Sequence, residues 1–389
     1  MNWTIPLFDL DYNEEEETAV LEVLRSKWLT MGEVTQRFEN AFASMLGVKH
    51  AIAVSNGTVA LHLACLGVGL KQGDEVIVPA LTFVASAACV RYVGATPVFA
   101  DISGPNDLTI SPASIEAQIT ERTRAILVMH YAGYPCNMPA IQQIAKKYQL
   151  KIIEDAAHAP GAELDNIKLG AWGDTAAFSF FSNKNLATGE GGMVVTNCDR
   201  AAERIRRARS HSMTSLTWDR HRGQALSYDV LELGYNYRPN EIMSSLGLVQ
   251  LSKLEKNNQT RRELTAQYHF TLSNFAPEIS LPFKQHRGRS SCHILPVLLP
   301  YWTDRTTFMN TMKMLGIQTS IHYPIIPDFT AYRDQNHSYG DDTLPNLRTY
   351  APREVTLPLY ATMRPEQVET VVQAVQSSLK IAQPYIPVS

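Results

Sequence analysis

The stretch FSFFSNKNLATGEGGMVVT, residues 178–196, joins two β-rich runs through a polar turn that carries Lys184 and three glycines. The aromatic and β-branched residues on either side of the turn are typical of buried strands. A lysine is seldom buried without a partner, because removing its ammonium group from water is costly. Lys184 could therefore be a chemical group, although these residues taken alone fit a lysine in a surface loop better.

From residue 51 up to this stretch, predicted strands alternate with predicted helices. Short β-rich runs alternate with segments whose apolar residues recur at helical spacing, such as MPAIQQIAKKYQL at 138–150. This order predicts an α/β fold with a mostly parallel sheet flanked by helices. The predicted strands are AIAVS, EVIVP, PVFA, AILVMH, KIIE, AAFSFF and GMVVT.

The rest of the chain predicts a second, smaller domain. After Thr196 the pattern is mainly helical, and from residue 280 onward shorter strands and helices follow, as in ILPVLLP (294–300) and RPEQVETVVQAVQSSL (364–379). We expect a large domain over residues 1–255, with a helical segment at its N-terminus, and a small C-terminal α/β domain over 256–389. The mixed polar segment at 211–229 is predicted to be a loop.

Composition excludes several classes of partner. The chain has 389 residues, 19% charged residues and a formal net charge of −3, which gives no basic field for nucleic acid. It has no basic leader and no run of about 18 apolar residues, so we expect a cytoplasmic protein with no membrane segment. The five cysteines are scattered without CxxC pairs or nearby histidines at zinc-ligand spacing, and we expect no metal site.

The segment KIIEDAAHAPGA, residues 151–162, adds ionisable groups at the end of another predicted strand. Asp155 follows this apolar run, and a carboxylate at the carboxyl end of a parallel strand points into the ligand crevice. Such a group could hold the ring nitrogen of pyridoxal phosphate protonated, and Lys184 could form a Schiff base with the aldehyde of that cofactor. His158 could lie against the cofactor ring or its phenolic oxygen, or could simply be a solvated or core histidine.

The segment AIAVSNGTVALHLACLG, residues 51–67, predicts a strand, a turn and a helix that begins near Gly57 and Thr58. Free N–H groups at a helix N-terminus suit a phosphate, whereas the alternative is an ordinary N-cap at Thr58. Phe83 follows the strand EVIVP, where its ring could stack on a flat cofactor or belong to the core. Ser179, five residues before Lys184, could add a hydroxyl group to the phosphate site.

In their order and spacing these segments resemble the DegT/DnrJ/EryC1/StrS family of pyridoxal-phosphate-dependent sugar aminotransferases. The likeness covers nearly the whole chain, and the Lys184 block with GEGG is its most specific part. The matching segments are SNGTVALHLA, VIVPALTFVASA, IIEDAAHAPGA, FSFFSNKNLATGEGGMVVT, LGYNYRPNEIMSSLGLVQL, GIQTSIHYP and VTLPLY. The resemblance implies the fold-type-I aminotransferase architecture and a homodimer with active sites at the subunit interface.

The resemblance also implies roles for particular residues. Lys184 would be the Schiff-base lysine, Asp155 the partner of the pyridine nitrogen and Phe83 the stacking ring. His158 stands where many members have glutamine and would hydrogen-bond the ring oxygen of the cofactor. The residues implied at the phosphate are Gly57, Thr58, Ser179 and, from the neighbouring subunit, Asn236, with Arg238 as a weaker candidate. The residues placed near the substrate are His322 and Tyr323.

The implied reaction is transamination from an amino acid, expected to be glutamate, to a keto group of a nucleotide-linked hexose, as in the biosynthesis of amino sugars for polysaccharides or antibiotics. An aminotransferase acting on a cyclitol or aminoglycoside ketone would share these motifs. A non-catalytic regulatory relative would have the same fold but no need for a buried lysine. The chain departs from the family pattern at Pro239 and Asn240, and at Cys292, where an aromatic residue is more usual.

Overall fold

The computed structural model describes residues 3–214, 227–333 and 342–382. Of the predicted loop at 211–229, residues 215–226 lie outside the described residues. The strands are β1 His50–Val54, β2 Glu75–Pro79, β3 Thr96–Ala100, β4 Ile102–Gly104, β5 Asp107–Ile110, β6 Thr123–Met129, β7 Lys151–Asp155, β8 Glu163–Leu164, β9 Ile167–Lys168, β10 Thr175–Ser179, β11 Gly192–Thr196, β12 Leu295–Leu298 and β13 Glu354–Leu357.

Helices alternate with the strands through the first half and dominate the second. They are α1 Glu14–Ser26, α2 Glu33–Leu46, α3 Gly57–Gly67, α4 Val84–Tyr92, α5 Pro112–Ala117, α6 Met138–Tyr148, α7 Asp199–Arg209, α8 Glu241–Phe275, α9 Arg305–Met314, α10 Thr330–Arg333, α11 Pro345–Tyr350 and α12 Pro365–Ile381.

Within the described ranges, the central sheet has seven strands in the order β1-β11-β10-β7-β6-β2-β3. β10, β7, β6, β2 and β3 pair in parallel, whereas β11 runs antiparallel to both of its neighbours, β1 and β10. The seven strands predicted from the sequence are these seven, with ends that differ by two residues or fewer. The mostly parallel α/β sheet is therefore confirmed.

Apolar residues of each strand divide alternately between two cores, as the period of two in a β-strand requires. In β2, Val76 and Val78 belong to one core and Ile77 to the other. The first core includes residues of α3, α4 and α7 and continues into the C-terminal part of the chain, whereas the second includes residues of α2 and α6. Helices thus cover both faces, as expected for a parallel sheet.

The C-terminal part contains the two-stranded antiparallel sheet of β12 and β13, with α9 packed on α12. The long helix α8 connects it to the first half, because α8 contacts α1 and α2 as well as α12. The expected boundary between residues 255 and 256 therefore falls inside one continuous helix. The N-terminal segment also belongs to both parts, since Ile5 pairs with Ile317 and the backbone N–H of Leu359 donates to Leu7.

Candidate active site

The adjacent ends of β7 and β10 bring together the ionisable residues singled out in the sequence. β7 ends at Asp155 and β10 ends at Ser179, and the two strands are parallel neighbours in the sheet. The turn that follows β10 carries Lys184, whose backbone N–H donates to the carbonyl of Phe181 at 2.8 Å. The site therefore lies at the carboxyl edge of the parallel strands, where α/β sheets bind ligands.

Asp155 is a buried carboxylate with two hydrogen bonds. The Ser86 hydroxyl donates to Oδ2 at 2.6 Å and the Ala157 backbone N–H donates to Oδ1 at 3.1 Å. Burial raises the pKa of Asp155 above its ordinary value, while these two hydrogen bonds and the charge of Lys184 act in the opposite direction. Sequence reasoning missed Ser86, although its position three residues after Phe83, on the first turn of α4, is a signal that could have indicated it.

Glu154, the neighbouring carboxylate, belongs to a different environment. Its oxygens accept hydrogen bonds from the backbone N–H groups of Gly170, Trp172 and Gly173 at 2.6–2.8 Å, and lie 2.9 Å from His130 Nε2. Because successive side chains of a strand point to opposite faces, Glu154 and Asp155 cannot serve the same cavity. Glu154 organises the turn at 170–173 and leaves Asp155 as the carboxylate of the site.

Lys184 is half-buried beside Asp155. Desolvation of its ammonium group lowers the pKa to about 8, and the negative charge of Asp155 opposes this shift. A lysine with this pKa has a sizeable neutral fraction near neutral pH. The free amine is the form that attacks a carbonyl carbon, so the environment activates Lys184 as a nucleophile.

The turn before α3 forms a tight cradle with the end of β10. α3 begins at Gly57, and its N-cap is Asn56, whose side chain accepts from the N–H of Val59 at 3.0 Å; the alternative of an N-cap at Thr58 is wrong. A Cβ atom added to Gly57 would lie 2.6 Å from Ser179 Cβ, which is closer than two carbons can approach. Gly57, Thr58 and Ser179 therefore meet at a helix N-terminus suited to a phosphate.

Three aromatic side chains border the same crevice. The Tyr323 hydroxyl lies 2.9 Å from His158 Nε2, and the Tyr323 ring centroid is 5.8 Å from that of Phe83. Phe83 is 51% exposed, which leaves a ring face free to stack on a ligand. Burial holds the pKa of His158 well below its ordinary value, so this histidine is neutral. Its Nδ1 has no hydrogen-bond partner among the described residues.

His322 lies next to Tyr323 but is held mainly by the C-terminal strands. Its backbone N–H donates to Glu354 Oε2 at 2.9 Å, and its Nδ1 lies 2.9 Å from the Thr356 hydroxyl. Sequence reasoning missed these partners, and it also missed His293, whose ring centroid is 4.2 Å from that of His158. The His293 Nδ1 lies 2.9 Å from the side-chain oxygen of Asn185.

The GYNYR segment, residues 234–238, lies beside the turn at the start of α3. The Ser55 N–H donates to the carbonyl of Tyr237 at 3.0 Å, and the rings of Tyr235 and Tyr237 stack at 4.8 Å. Between them, Asn236 has an exposed side chain, and its backbone bridges to Ser210. Its contribution to the phosphate site of a neighbouring subunit stays a prediction.

These residues fit pyridoxal phosphate. Asp155 has no cationic group in ion-pair contact among the described residues, so its carboxylate is available to a protonated ring nitrogen. The unpartnered Nδ1 of His158 could bond a ring oxygen, and the absence of a side chain at Gly57 lets the N-terminus of α3 approach Ser179, so that a phosphate could contact both. Within the described ranges, no group of three or more histidine, cysteine or acidic side chains could hold a metal ion, and no helix is both long and apolar enough to cross a membrane.

Comparison with known proteins agrees with this geometry. Residues 10–376 match the model of the DegT/DnrJ/EryC1/StrS aminotransferase family. The chain is 36% identical to the spore coat polysaccharide biosynthesis protein SpsC of Bacillus subtilis, over 97% of both chains. Its structure is similar to that of Helicobacter pylori PseC, an aminotransferase involved in the biosynthesis of pseudoaminic acid, with a TM-score of 0.89, 31% identity and coverage of 98% of this chain and 100% of that one.

A third similar protein was solved with the cofactor. The PLP-form of the putative sugar aminotransferase Spr1654 from Streptococcus pneumoniae has a TM-score of 0.89 and 26% identity, with coverage of 99% of this chain and 100% of that one. The same protein was also solved in a PMP-form. The chain described here belongs to the DegT/DnrJ/EryC1/StrS aminotransferase family, and it is a pyridoxal-phosphate-dependent sugar aminotransferase.

Proposed function

We propose that this protein moves an amino group from an amino acid, glutamate, to the keto group of a nucleotide-linked hexose. The observation that carries the proposal is the pair formed by Lys184 and Asp155 at the ends of neighbouring strands. Desolvation lowers the lysine pKa to about 8, and no described cation forms an ion pair with the Asp155 carboxylate. A protein that only kept the fold would gain nothing from placing a half-buried lysine beside a buried carboxylate.

Each residue of the site has a defined task in this reaction. Pyridoxal phosphate supplies an aldehyde that carries the amino group and a ring that accepts electrons. Asp155 would keep the ring nitrogen protonated through a charge-assisted hydrogen bond. Lys184 Nζ would hold the aldehyde of the cofactor, and as a free amine Lys184 would accept and return the proton that transamination moves. Gly57, Thr58 and Ser179 would hold the phosphate, and Phe83 would stack on the ring.

Support for a sugar nucleotide comes from similar proteins. SpsC takes part in polysaccharide biosynthesis, PseC in that of pseudoaminic acid, and DesI, which is 28% identical with a TM-score of 0.83, was solved in the presence of its TDP-sugar product. Tyr323 carries a hydroxyl group at the crevice where a sugar would lie. Binding energy from the remote nucleotide could orient the reacting carbonyl.

We further propose a homodimer in which Asn236 reaches the phosphate site of the partner subunit. The support is the exposed side chain of Asn236, which lies in sequence between Tyr235 and Tyr237, whose rings stack on each other beside the α3 turn. The division into a large domain over 1–255 and a small domain over 256–389 is part of the same proposal. It rests on the separate sheet of β12 and β13, which does not pair with the central sheet.

The test compares kcat/KM for a keto-hexose with and without its nucleotide. Glutamate is the amino donor, and Lys184→Ala is the inactive control. We expect kcat/KM to be higher by at least about tenfold for the nucleotide-linked sugar, which corresponds to about 1.4 kcal/mol of remote binding energy. Equal kcat/KM values for the two sugars, or activity confined to free cyclitol ketones, would favour the alternative that the protein is a cyclitol aminotransferase. A protein that showed no cofactor absorbance in the visible range would point to a non-catalytic relative.

A further inference from the structure

Glu354, the first residue of β13, is a buried carboxyl group that the proposed reaction does not use. It is 1% exposed and makes no ion pair with a described residue. Its Oε2 accepts from the His322 N–H at 2.9 Å, and its Oε1 lies 2.6 Å from the Thr356 hydroxyl. Burial raises the pKa of Glu354 to about 8, and the two hydrogen bonds and the charge of Arg305 oppose this shift.

The contacts continue from Thr356 to the ring of His322. Thr356 Oγ1 lies 2.9 Å from His322 Nδ1, so one hydroxyl group bridges the carboxyl group and the imidazole. A hydroxyl has a single hydrogen to donate, so the hydrogen bonds that link Glu354, Thr356 and His322 can be arranged in two directions. With Glu354 ionised, Thr356 donates to Glu354, and His322 Nδ1–H donates to Thr356. With Glu354 protonated, the carboxyl donates to Thr356 and Thr356 donates to His322 Nδ1.

The two arrangements of hydrogen bonds leave the Nε2 atom of His322 in different protonation states. When Nδ1 carries the proton, the neutral ring has a bare Nε2 that can only accept a hydrogen bond. When Nδ1 accepts, Nε2 carries the proton and can only donate. Burial and the charge of Lys184 lower the pKa of His322 to about 4, so the ring stays neutral near neutral pH and only its tautomer changes.

His322 lines a small recess and lies close enough to Lys184 for the lysine charge to lower its pKa. Asn183, which precedes Lys184 in the chain, lines the same recess, as do His293 and Thr356. The Asn183 Oδ1 and the His293 Nε2 are buried without hydrogen-bond partners among the described residues, so the recess has unused polar atoms. The titratable or charged groups around His322 and Glu354 are Lys184, His158, His293, Tyr131, Tyr323 and Arg305.

We propose that Glu354, Thr356 and His322 form a proton relay that ends at the recess lined by Asn183, the residue that precedes Lys184. Glu354 gives its proton to Thr356 Oγ1, Thr356 gives its own to His322 Nδ1, and His322 releases one proton from Nε2. The net change is the transfer of one proton from the buried carboxyl group to the recess. The reverse steps return a proton to the Glu354 carboxylate. The relay rests on the proposed function in one respect, since transamination requires proton movement beside Lys184.

The test follows the tautomer of His322 by NMR in the cofactor-loaded protein with ¹⁵N-labelled histidine. His322→Gln identifies the signals of this residue. In the wild type we expect the proton to move from Nε2 to Nδ1 as the pH rises through about 8, where Glu354 ionises. Glu354→Gln keeps a donor facing Thr356 at every pH, so Nε2 should stay protonated throughout. A wild-type tautomer that does not change between about pH 6 and about pH 10 would refute the relay.

Two substitutions at Thr356 provide an independent comparison. Thr356→Ser retains the hydroxyl group and should retain the pH-dependent tautomer change of His322. Thr356→Val has nearly the same shape but removes the bridging hydroxyl group, so it should abolish this tautomer change. If Thr356→Val titrated as the wild type does, the relay would be wrong even if Glu354→Gln failed to fold. The NMR readout needs no substrate, so an inactive protein that shows the tautomer change would overturn the proposed function but not the relay.

Discussion

Two adjacent carboxyl groups, Glu154 and Asp155, show how position along a strand separates structural from chemical roles. Glu154 satisfies three backbone N–H groups of the turn at 170–173, so removing its charge would leave buried donors without their acceptor. Asp155 accepts from Ser86 and Ala157 and has capacity left for a cationic ligand. One group stabilises the fold, whereas the other is available for the cofactor.

Replacing each carboxylate by its amide should therefore give opposite results. Asp155→Asn cannot hold the proton on the ring nitrogen, and we expect turnover to fall by about 100-fold or more while the free energy of unfolding changes little. Glu154→Gln should lower that free energy by about 2 kcal/mol, because a neutral amide replaces a charged acceptor of buried N–H groups, and should keep turnover at temperatures where the protein is folded. Steady-state kinetics and urea unfolding of both variants measure this. Near-wild-type turnover in Asp155→Asn would contradict the assignment.

At the scale of secondary structure, periodicity was sufficient to place the strands of the central sheet, because each is a short apolar run bounded by turn residues. The short pairs β4–β5 and β8–β9 were not predicted, since two to four residues carry no periodic signal. The partners of the site that sequence reasoning missed are long-range. Ser86 lies 69 residues from Asp155, and Thr356 lies 34 residues from His322. The position of Ser86 three residues after Phe83 is a signal in the sequence, whereas nothing there indicates that Thr356 meets His322.

The start of α3 offers a prediction that belongs to this scale. In Gly57→Ala the new Cβ would meet Ser179 Cβ at 2.6 Å, which forces α3 and β10 apart at the phosphate cradle. We expect the dissociation constant of pyridoxal phosphate to rise by at least about tenfold, measured by titrating the cofactor into the apoprotein and following absorbance.

Gly67→Ala, at the other end of α3, is the matched control for Gly57→Ala. Its Cβ would meet the end of the flexible Ile205 side chain at 2.8 Å, so it perturbs the packing of the same helix far from the cradle. We expect Gly67→Ala to bind the cofactor as the wild type does. Equal weakening in both variants would mean that α3 acts through general stability and not through the cradle.

At the scale of the whole molecule, one subunit supplies most of the proposed site but not all of it. Lys184, Asp155 and the cradle of Gly57 and Ser179 belong to one chain, whereas the exposed Asn236 is predicted to serve the phosphate of the partner. In a twofold dimer such exchange is reciprocal, because each subunit presents the same surface to the other. The two active sites of the proposed dimer would then each contain residues of both chains.

This sharing can be tested by mixing inactive chains. A dimer of one Lys184→Ala chain and one Asn236→Ala chain would contain one site with both lesions and one site with neither. Random exchange makes about half of the dimers mixed, so activity should recover to about one quarter of the wild-type value. Mixing Lys184→Ala with Asp155→Asn is the control, since both lesions lie in residues that a single chain contributes to its own site, and it should recover nothing. Absence of recovery in the first mixture, despite exchange of subunits shown by mass spectrometry, would mean that Asn236 serves its own chain.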